Sequence, residues 1–454
     1  MGETEYFARQ GSSMSGLEPD TCPNVAVITC HDLGRHLRCF GIPTVRTQHL
    51  DALAESGTRF ERAFATSSGC SPSRAALATG CYPHVNGVMG LTHPPFNWNL
   101  RPDVLHITHM LGGAGYDRHL FGFQHVTTSV DRLAFDEFHG FDRVVGCYET
   151  AWGANVAARV AGFLQARQSS RPLYMEINLE EVHRPFDQGG SVPDEADGIF
   201  IPPYLPPGSE VREEMAALQG AIRQADRAVG EILAALDRAG MRDDTLVIFI
   251  ADHGLAMPRA KCTLYDPGIE VALLVRWPAG SVCPGQVRPE MISNIDVLPT
   301  ILEAAGAAPP PQVQGRSFLP LLRGDTYAPR TEIYAEKTYH SYYDPMRALR
   351  TERFKYIRNF EVCFAVEVPG DVQMGATFRA HVDLYHAAQH PPIELYDLHA
   401  DPLEQHNLAG DLSFVEIERR LDSSLRAWMV ETHDPLLRGP IPSPLGRRIW
   451  ETFG

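Results

Sequence analysis

Short runs of apolar, mostly β-branched residues alternate along this chain with longer amphipathic segments. The runs that predict strands are 24–29, 118–122, 172–179, 245–251 and 269–277, and the segments that predict helices are 50–57, 104–114 and 215–238. Runs without polar alternation are typical of strands buried on both faces of a sheet. Because strands separated by helices form βαβ crossovers, the pattern predicts an α/β fold with a large, mostly parallel sheet sandwiched by helices.

The pattern changes in the last third of the chain, after three consecutive prolines at 309–311. Two strand-like runs follow at 346–350 and 354–357, and a helical segment begins at Leu412. They predict a smaller C-terminal α+β subdomain that carries an antiparallel sheet. The chain therefore divides into a disordered leader (1–21), a catalytic domain (22–330) and a C-terminal subdomain (331–454).

Polar clusters follow three of the predicted strands. The first is His31-Asp32, the second contains His183, and the third is Asp252-His253. A single Asp or His after a strand is more often a helix cap or a loop contact. However, the carboxyl ends of parallel strands meet at one edge of a sheet, so the three clusters together predict one site. Asp32 and Asp252 are natural ligands for a hard divalent cation. His31 and His253 either complete the coordination shell of the cation or bind the substrate. Because nitrogen and oxygen donors are mixed, the identity of the metal stays open.

Two histidines and a lysine complete the candidate site. His125 and His183 each follow a predicted strand, and histidine titrates near neutrality. Either residue can bind substrate oxygens or protonate a leaving group. Lys261 lies in a loop after the third cluster and can neutralise a developing anion, although a solvated surface lysine is the plainer interpretation.

The run Cys-Ser-Pro-Ser-Arg at 70–74 begins another predicted helix. Ser71 can cap it, Pro72 suits a first helical position, and Gly80 can end it. Cys70 would then lie at a helix N-terminus, where exposed N–H groups favour an anion. Arg74 lies one helical turn further on, so its guanidinium can reach back to the side chain of residue 70.

Charge and cysteine usage narrow the class of protein. The chain has 56 acidic and 40 basic residues, a formal net charge of −16, which disfavours nucleic acid or a membrane surface as a partner. No run of roughly eighteen apolar residues predicts a transmembrane helix, and residues 1–21 lack the apolar core of a signal peptide. Nine cysteines without paired spacing favour reduced thiols and a cytoplasmic location.

Taken together, these motifs resemble those of type I, formylglycine-dependent sulfatases of the alkaline-phosphatase superfamily. The similar stretches are 23–34, 50–54, 70–80, 252–254, 264–278 and 395–408. Within that family, the runs at 84–87, 122–126, 183–184 and 343–347 are most similar to heparan N-sulfatase, the N-sulfoglucosamine sulfohydrolase group.

The resemblance implies that a maturation enzyme oxidises Cys70 to formylglycine. One hydroxyl of the hydrated aldehyde would attack sulfur, and the other would expel sulfate by re-forming the aldehyde. A calcium-like ion, with Mn²⁺ or Zn²⁺ as alternatives, would be held by Asp32, Cys70 as formylglycine, Asp252, His253 and, in the place of a family aspartate, His31. The groups that would contact the formylglycine or the sulfo group are Arg74, His125, His183 and Lys261.

Three positions depart from the family pattern. His31 replaces the first of two adjacent aspartates, which lowers the negative charge of the metal site and either weakens calcium binding or admits a softer ion. Phe123 replaces a lysine two residues before His125, so one cation near the sulfo group is missing. His253 stands where asparagine is common.

The sequence thus predicts a metal-dependent hydrolase of sulfate esters or sulfamates, acting on a small sulfated sugar that resembles N-sulfoglucosamine. Two alternatives stay open: a phosphonate monoester or phosphodiester hydrolase of the same superfamily, and a degenerate sulfatase that binds a sulfated sugar without turnover. The sequence leaves the oligomeric state open, with a homo-oligomer as one alternative.

Overall fold

The computed structural model describes residues 22–140, 152–361, 367–387 and 389–447. The predicted leader, residues 1–21, lies outside them. Within these ranges the main sheet has nine strands: β1 (Asn24–Cys30), β2 (Thr58–Phe64), β3 (Asp117–Gly122), β4 (Glu137–Gly140), β5 (Leu173–Leu179), β6 (Thr245–Ala251), β7 (Glu270–Val271), β8 (Leu273–Arg276) and β9 (Gln286–Ser293). The helices are α1 (Gln48–Glu55), α2 (Cys70–Thr79), α3 (Pro83–Asn86), α4 (Ile107–Gly113), α5 (Gly153–Ala166), α6 (Ser209–Arg238), α7 (Asp266–Ile269), α8 (Val297–Ala304), α9 (Leu319–Arg323), α10 (Gly370–Gln373), α11 (Ala376–Ala380), α12 (Val382–His386) and α13 (Val415–Glu431).

The main sheet is mostly parallel, as predicted. Strands β4, β3, β5, β1 and β6 lie side by side and run in one direction. Every residue of β5 and β6 is buried, as the unbroken apolar runs predict for strands covered on both faces. Helix α6 packs on the sheet through a stripe of buried apolar residues that includes Val229, Ile232 and Leu236.

The part of the main sheet beyond β6 differs from the sequence-based expectation. The run 269–277, predicted as one strand, divides into β7 and β8, and β8 pairs antiparallel with β6. Strand β2 pairs antiparallel with β8 and parallel with β9. Strands β2, β4 and β9 were missed because none of the three has a continuous apolar run.

A second sheet of four antiparallel strands lies in the C-terminal part, as predicted. Its order is β10 (Glu332–Tyr339), β11 (Tyr343–Thr351), β12 (Phe354–Asn359) and β13 (Ile393–Asp397). Helix α13 packs on this sheet, and Trp428 of the helix stacks on Tyr334 of β10 with ring centroids 4.9 Å apart. The domain boundary at residue 330 stays a prediction.

No helix among the described residues is both long and apolar enough to cross a membrane.

Candidate active site

The three polar clusters meet because the central strands end level with one another. Strand β1 pairs in parallel with β5 and β6, and its last residue, Cys30, lies opposite both Leu179 and Ala251. His31 and Asp252 therefore leave the same edge of the sheet side by side.

The turn after β1 is tightly built. Asp32 has a left-handed backbone, with φ 51°, which aspartate tolerates better than most residues. Its N–H donates to Oδ1 of Asp252 at 2.9 Å, so the two loops hold each other. A Cβ at Gly254 would lie 1.9 Å from the carbonyl oxygen of Pro267, so this close approach requires glycine.

Helix α2 points its first residue into the site. The helix begins at Cys70 rather than at Pro72, with Gly69 before it, and the predicted capping role of Ser71 is wrong because that hydroxyl lies 3.3 Å from the hydroxyl of Thr92. The expected end at Gly80 is confirmed by its left-handed backbone. The Ser73 hydroxyl donates to the carbonyl of Asp252, which ties the start of the helix to the end of β6.

Five buried side chains form a cluster that fits a divalent metal ion. One ligand atom from each lies within 4.8 Å of all the others, and the residues are His31, Asp32, Cys70, Asp252 and His253. Nδ1 of His31 lies 3.1 Å from Asp32 Oδ1 and 3.3 Å from Asp252 Oδ2. Nε2 of His253 lies 3.0 Å from Asp32 Oδ1 and 3.3 Å from Sγ of Cys70. Two carboxylates suit a hard cation and two converging imidazoles suit a softer one, so the donor set fits a divalent ion without selecting it.

Two buried cations balance the carboxylates. Nζ of Lys261 lies 2.8 Å from Asp32 Oδ2 and 2.8 Å from Asp371 Oδ2. Nε of Arg74 donates to Asp252 Oδ2 at 2.9 Å, and its Nη1 donates to Asn178 at 2.9 Å. The Nη2 atom of Arg74 is buried, and no group in the described ranges accepts a hydrogen bond from it. That donor is therefore available to an anionic ligand.

These charges shift the titration of the cluster. Burial alone would raise the pKa of the Cys70 thiol, but Lys261, His31 and His253 hold it well below its usual value. Burial likewise opposes ionisation of Asp32, yet Lys261 and the histidines keep the pKa of that carboxyl well below its usual range. Burial would lower the pKa of His31, but Asp252, Cys70 and Asp32 raise it to about 10. A divalent cation at this place would compensate the same negative charge.

The two remaining histidines occupy different positions. Nδ1 of His183 donates to the carbonyl of Arg184 at 2.6 Å, which leaves Nε2 facing the site, 3.9 Å from Asp32 Oδ2 and 3.7 Å from Asp371 Oδ2. The His183 side chain is 23% exposed, so it stands at the mouth of the site. His125 is buried, and its Nε2 lies 3.3 Å from Nδ1 of His93.

Sequence reasoning missed three residues of this site. Asp371 reaches Lys261 from α10, and His93 comes from a loop; neither position carries a local signal. Asn178 had one, because it is a polar residue in the otherwise apolar β5. The ring of Phe123, the residue predicted to replace a family lysine, lies 4.7 Å from Cζ of Arg74 and stacks on His31 with ring centroids 5.6 Å apart.

The fold and the site together define an α/β protein with a metal-capable centre at the carboxyl edge of its main sheet. Residues 23–307 match the family model described as Sulfatase, and residues 253–373 match the one described as N-sulphoglucosamine sulphohydrolase, C-terminal. The chain therefore belongs to the sulfatase family, whose members hydrolyse sulfate esters or sulfamates. The predictions of family, fold class and enzyme class are confirmed.

Relatives and solved structures agree with this assignment. Human N-sulphoglucosamine sulphohydrolase is 29% identical, over 92% of this chain and 92% of its own length. An ulvan-active sulfatase of Formosa agariphila is 31% identical, over 90% of this chain and 81% of its own length.

Two solved structures share the fold. BT4656, determined in complex with its substrate D-glucosamine-2-N,6-O-disulfate, aligns with a TM-score of 0.72 at 18% identity, over 92% of this chain and 99% of that one. BT1596, a 2-O GAG sulfatase, aligns with a TM-score of 0.71 at 20% identity, over 93% of this chain and 95% of that one.

Proposed function

We propose that this protein removes the sulfo group from a small sulfated amino sugar that resembles N-sulfoglucosamine, through formylglycine made from Cys70 by a maturation enzyme. The observation that carries the proposal is the position of Cys70, whose Sγ lies 3.3 Å from His253 Nε2 inside the metal-capable cluster. The name of the human relative and the substrate of BT4656 support an N-sulfated glucosamine.

The residues around Cys70 suit this chemistry. Asp32, Asp252, His31 and His253 would hold a divalent ion, calcium first, with manganese and zinc as alternatives because two of these ligands are imidazoles. When bound, the ion supplies Lewis-acid polarisation of the sulfo oxygens. Formylglycine supplies one hydroxyl for attack on sulfur and a second for the release of sulfate.

The other side chains bind charge or move protons. Arg74 offers its unused Nη2 to a sulfo or formylglycine oxygen, and Lys261 neutralises charge that develops on the sulfo group. As the imidazolium, His183 at the mouth of the site would protonate the departing nitrogen or oxygen of the sugar from Nε2. His125 lies deeper and would contact the sulfo group or the formylglycine.

A cavity lies beside Lys261, and its lining contains none of the five residues of the metal-capable cluster. Its volume is about 440 Å³, and its lining includes Arg259, Tyr265 and Tyr385. That size is in the range of small-molecule sites and accommodates a monosaccharide, with tyrosine rings to pack on the sugar.

We also propose a cytoplasmic location for this protein. The seven cysteines in the described part of the chain are free thiols, which supports a reducing, cytoplasmic environment.

The test is the release of free sulfate by protein whose Cys70 peptide contains formylglycine by mass spectrometry. N-sulfoglucosamine, glucosamine 6-sulfate and an aryl sulfate are compared, each with added calcium or manganese, and an aryl phosphonate ester is the fourth substrate. We expect the N-sulfo sugar to be hydrolysed fastest. Activity confined to O-sulfates would contradict the substrate assignment, and a faster phosphonate reaction would favour the phosphonate hydrolase alternative. Sulfate binding without turnover by the matured protein would favour the degenerate-binder alternative.

A matched pair of variants tests the nucleophile. Cys70→Ala should abolish turnover, whereas Cys81→Ala, which removes a buried thiol just beyond the other end of α2, should retain it. Turnover by Cys70→Ala would refute the covalent mechanism.

A further inference from the structure

A second group of metal-ligating side chains lies at the outer edge of the main sheet. His119 of β3 is directly opposite Glu137 of β4, the last strand of the sheet, and His139 lies two residues further along β4, on the same face as Glu137. This group shares no residue with the active-site cluster.

The donor atoms of the three side chains converge. Nδ1 of His119 lies 3.0 Å from Nε2 of His139, and Oε2 of Glu137 lies 3.6 Å from the His139 nitrogen and 3.9 Å from the His119 nitrogen. In a tetrahedral zinc site with bonds of ~2.0–2.1 Å, neighbouring ligand atoms are ~3.3 Å apart. The observed triangle brackets that value, so only small side-chain shifts would be needed to complete three bonds to one ion.

The two imidazoles are already held in place by aromatic packing. The ring of Phe121 stacks on His139 at 4.4 Å with an interplanar angle of 7°, and Phe163 of α5 packs against His119 at 4.3 Å and His139 at 5.1 Å. The Glu137 side chain is 61% exposed, so an ion and its water ligand can reach the site from solvent.

We propose that His119, Glu137 and His139 bind a divalent transition-metal ion, Zn²⁺ in the first instance, with water completing the shell. Two nitrogen donors and a single carboxylate suit zinc and disfavour calcium, which requires six to eight oxygens. The ion joins β4 to β3 at the edge of the sheet that the described residues form, so its binding should stabilise the folded protein.

The test measures zinc bound to the full chain after removal of metals with a chelator. Equilibrium dialysis at defined free Zn²⁺, read by elemental mass spectrometry, is run on the wild type, Glu137→Gln, His139→Gln and the control His406→Gln, which alters a histidine that is 80% exposed. Each of the first two variants should bind one ion fewer, or bind it at least about tenfold more weakly, and should lose the zinc-dependent rise in Tm. The control should match the wild type.

Glu137→Gln changes an exposed residue, so it keeps the test valid if His139→Gln fails to fold. A wild-type number of zinc ions with a wild-type Kd in either folded variant would overturn the proposal. Sulfate release should be unchanged in Glu137→Gln, because this site is separate from the proposed catalytic centre; failure of the edge site would therefore leave the proposed function intact, and the reverse also holds.

Discussion

Asp252→Asn separates the proposed metal-binding role of this residue from its structural role. The carboxylate is fully buried, accepts a hydrogen bond from Arg74 Nε at 2.9 Å and accepts another from the N–H of Asp32 at 2.9 Å. The substitution removes the negative charge and turns an amide nitrogen or a neutral oxygen toward the Arg74 guanidinium, which is only 4% exposed. Breaking a buried ion pair from one side costs about 3–5 kcal/mol. The loss of one of two carboxylate ligands should also weaken the binding of a divalent ion by roughly 100-fold or more.

Asp296→Asn is the matched control. Asp296 is equally buried and accepts a hydrogen bond from Nε of Arg330 at 2.7 Å, in an ion pair that takes no part in the metal-capable cluster. In the presence of chelator, both variants should therefore lose about 3–5 kcal/mol of unfolding free energy, measured by urea titration followed by circular dichroism. Only Asp252→Asn should lose bound metal when calcium or manganese is added back and counted by elemental mass spectrometry.

Two outcomes would refute the reasoning. A wild-type Kd for the metal in Asp252→Asn would remove Asp252 from the ligand set. A loss below about 1 kcal/mol in both variants would show that these buried pairs contribute little more than surface ion pairs.

Three further predictions follow from buried groups. Lys261→Met should lower kcat roughly 100- to 1000-fold. The control is Lys355→Met, because Lys355 is equally buried between two carboxylates away from the site; it should lower the urea stability but leave kcat unchanged. Equal losses of kcat in the two variants would contradict a role for Lys261 at the sulfo group. Cys70→Ser should release at most one equivalent of desulfated product and retain a sulfo group detectable by mass, because a serine ester cannot eliminate sulfate; steady turnover would contradict the aldehyde mechanism. Burial lowers the pKa of His106 to about 3, so the unfolded chain binds the extra proton and stability is lost as the pH falls from about 6.5 toward 3. His106→Asn keeps a hydrogen-bond acceptor at the start of α4. In this variant the urea midpoint of unfolding should fall less between pH 6 and pH 4 than in the wild type. An equally steep fall would show that His106 does not cause the loss of stability.

The best-predicted parts of this protein are those with local patterns. The apolar runs of β1, β5 and β6 predict buried parallel strands, and the polar residues just after them, such as Asp32 and Asp252, predict a site at their shared edge. The Cys70 motif also depends on a few adjacent residues. These features could be recognised because burial on both faces and helix ends leave marks within a few positions of the chain.

Other features depend on contacts that no local pattern records. Strand β8 pairs antiparallel with β6 only after the intervening residues 252–272 have brought the chain back to the sheet, and it lies between β6 and β2. Likewise, Asp371 meets Lys261 across 110 positions. The pairing of His119 with His139 arises because β4, a strand without an apolar run, docks in register on β3.

The sequence by itself determined the class of fold, the family and the residues at the ends of the central strands. Tertiary structure alone decided which side chains face one another: the balance of Lys261 and Arg74 against two carboxylates, the stacking of the Phe123 ring on His31, and the convergence of three metal-capable side chains at the sheet edge. The physical reason is that hydrophobic periodicity is a property of neighbouring residues, whereas electrostatic and metal-binding geometry is a property of side chains that only the packed sheet and its loops bring within a few ångströms.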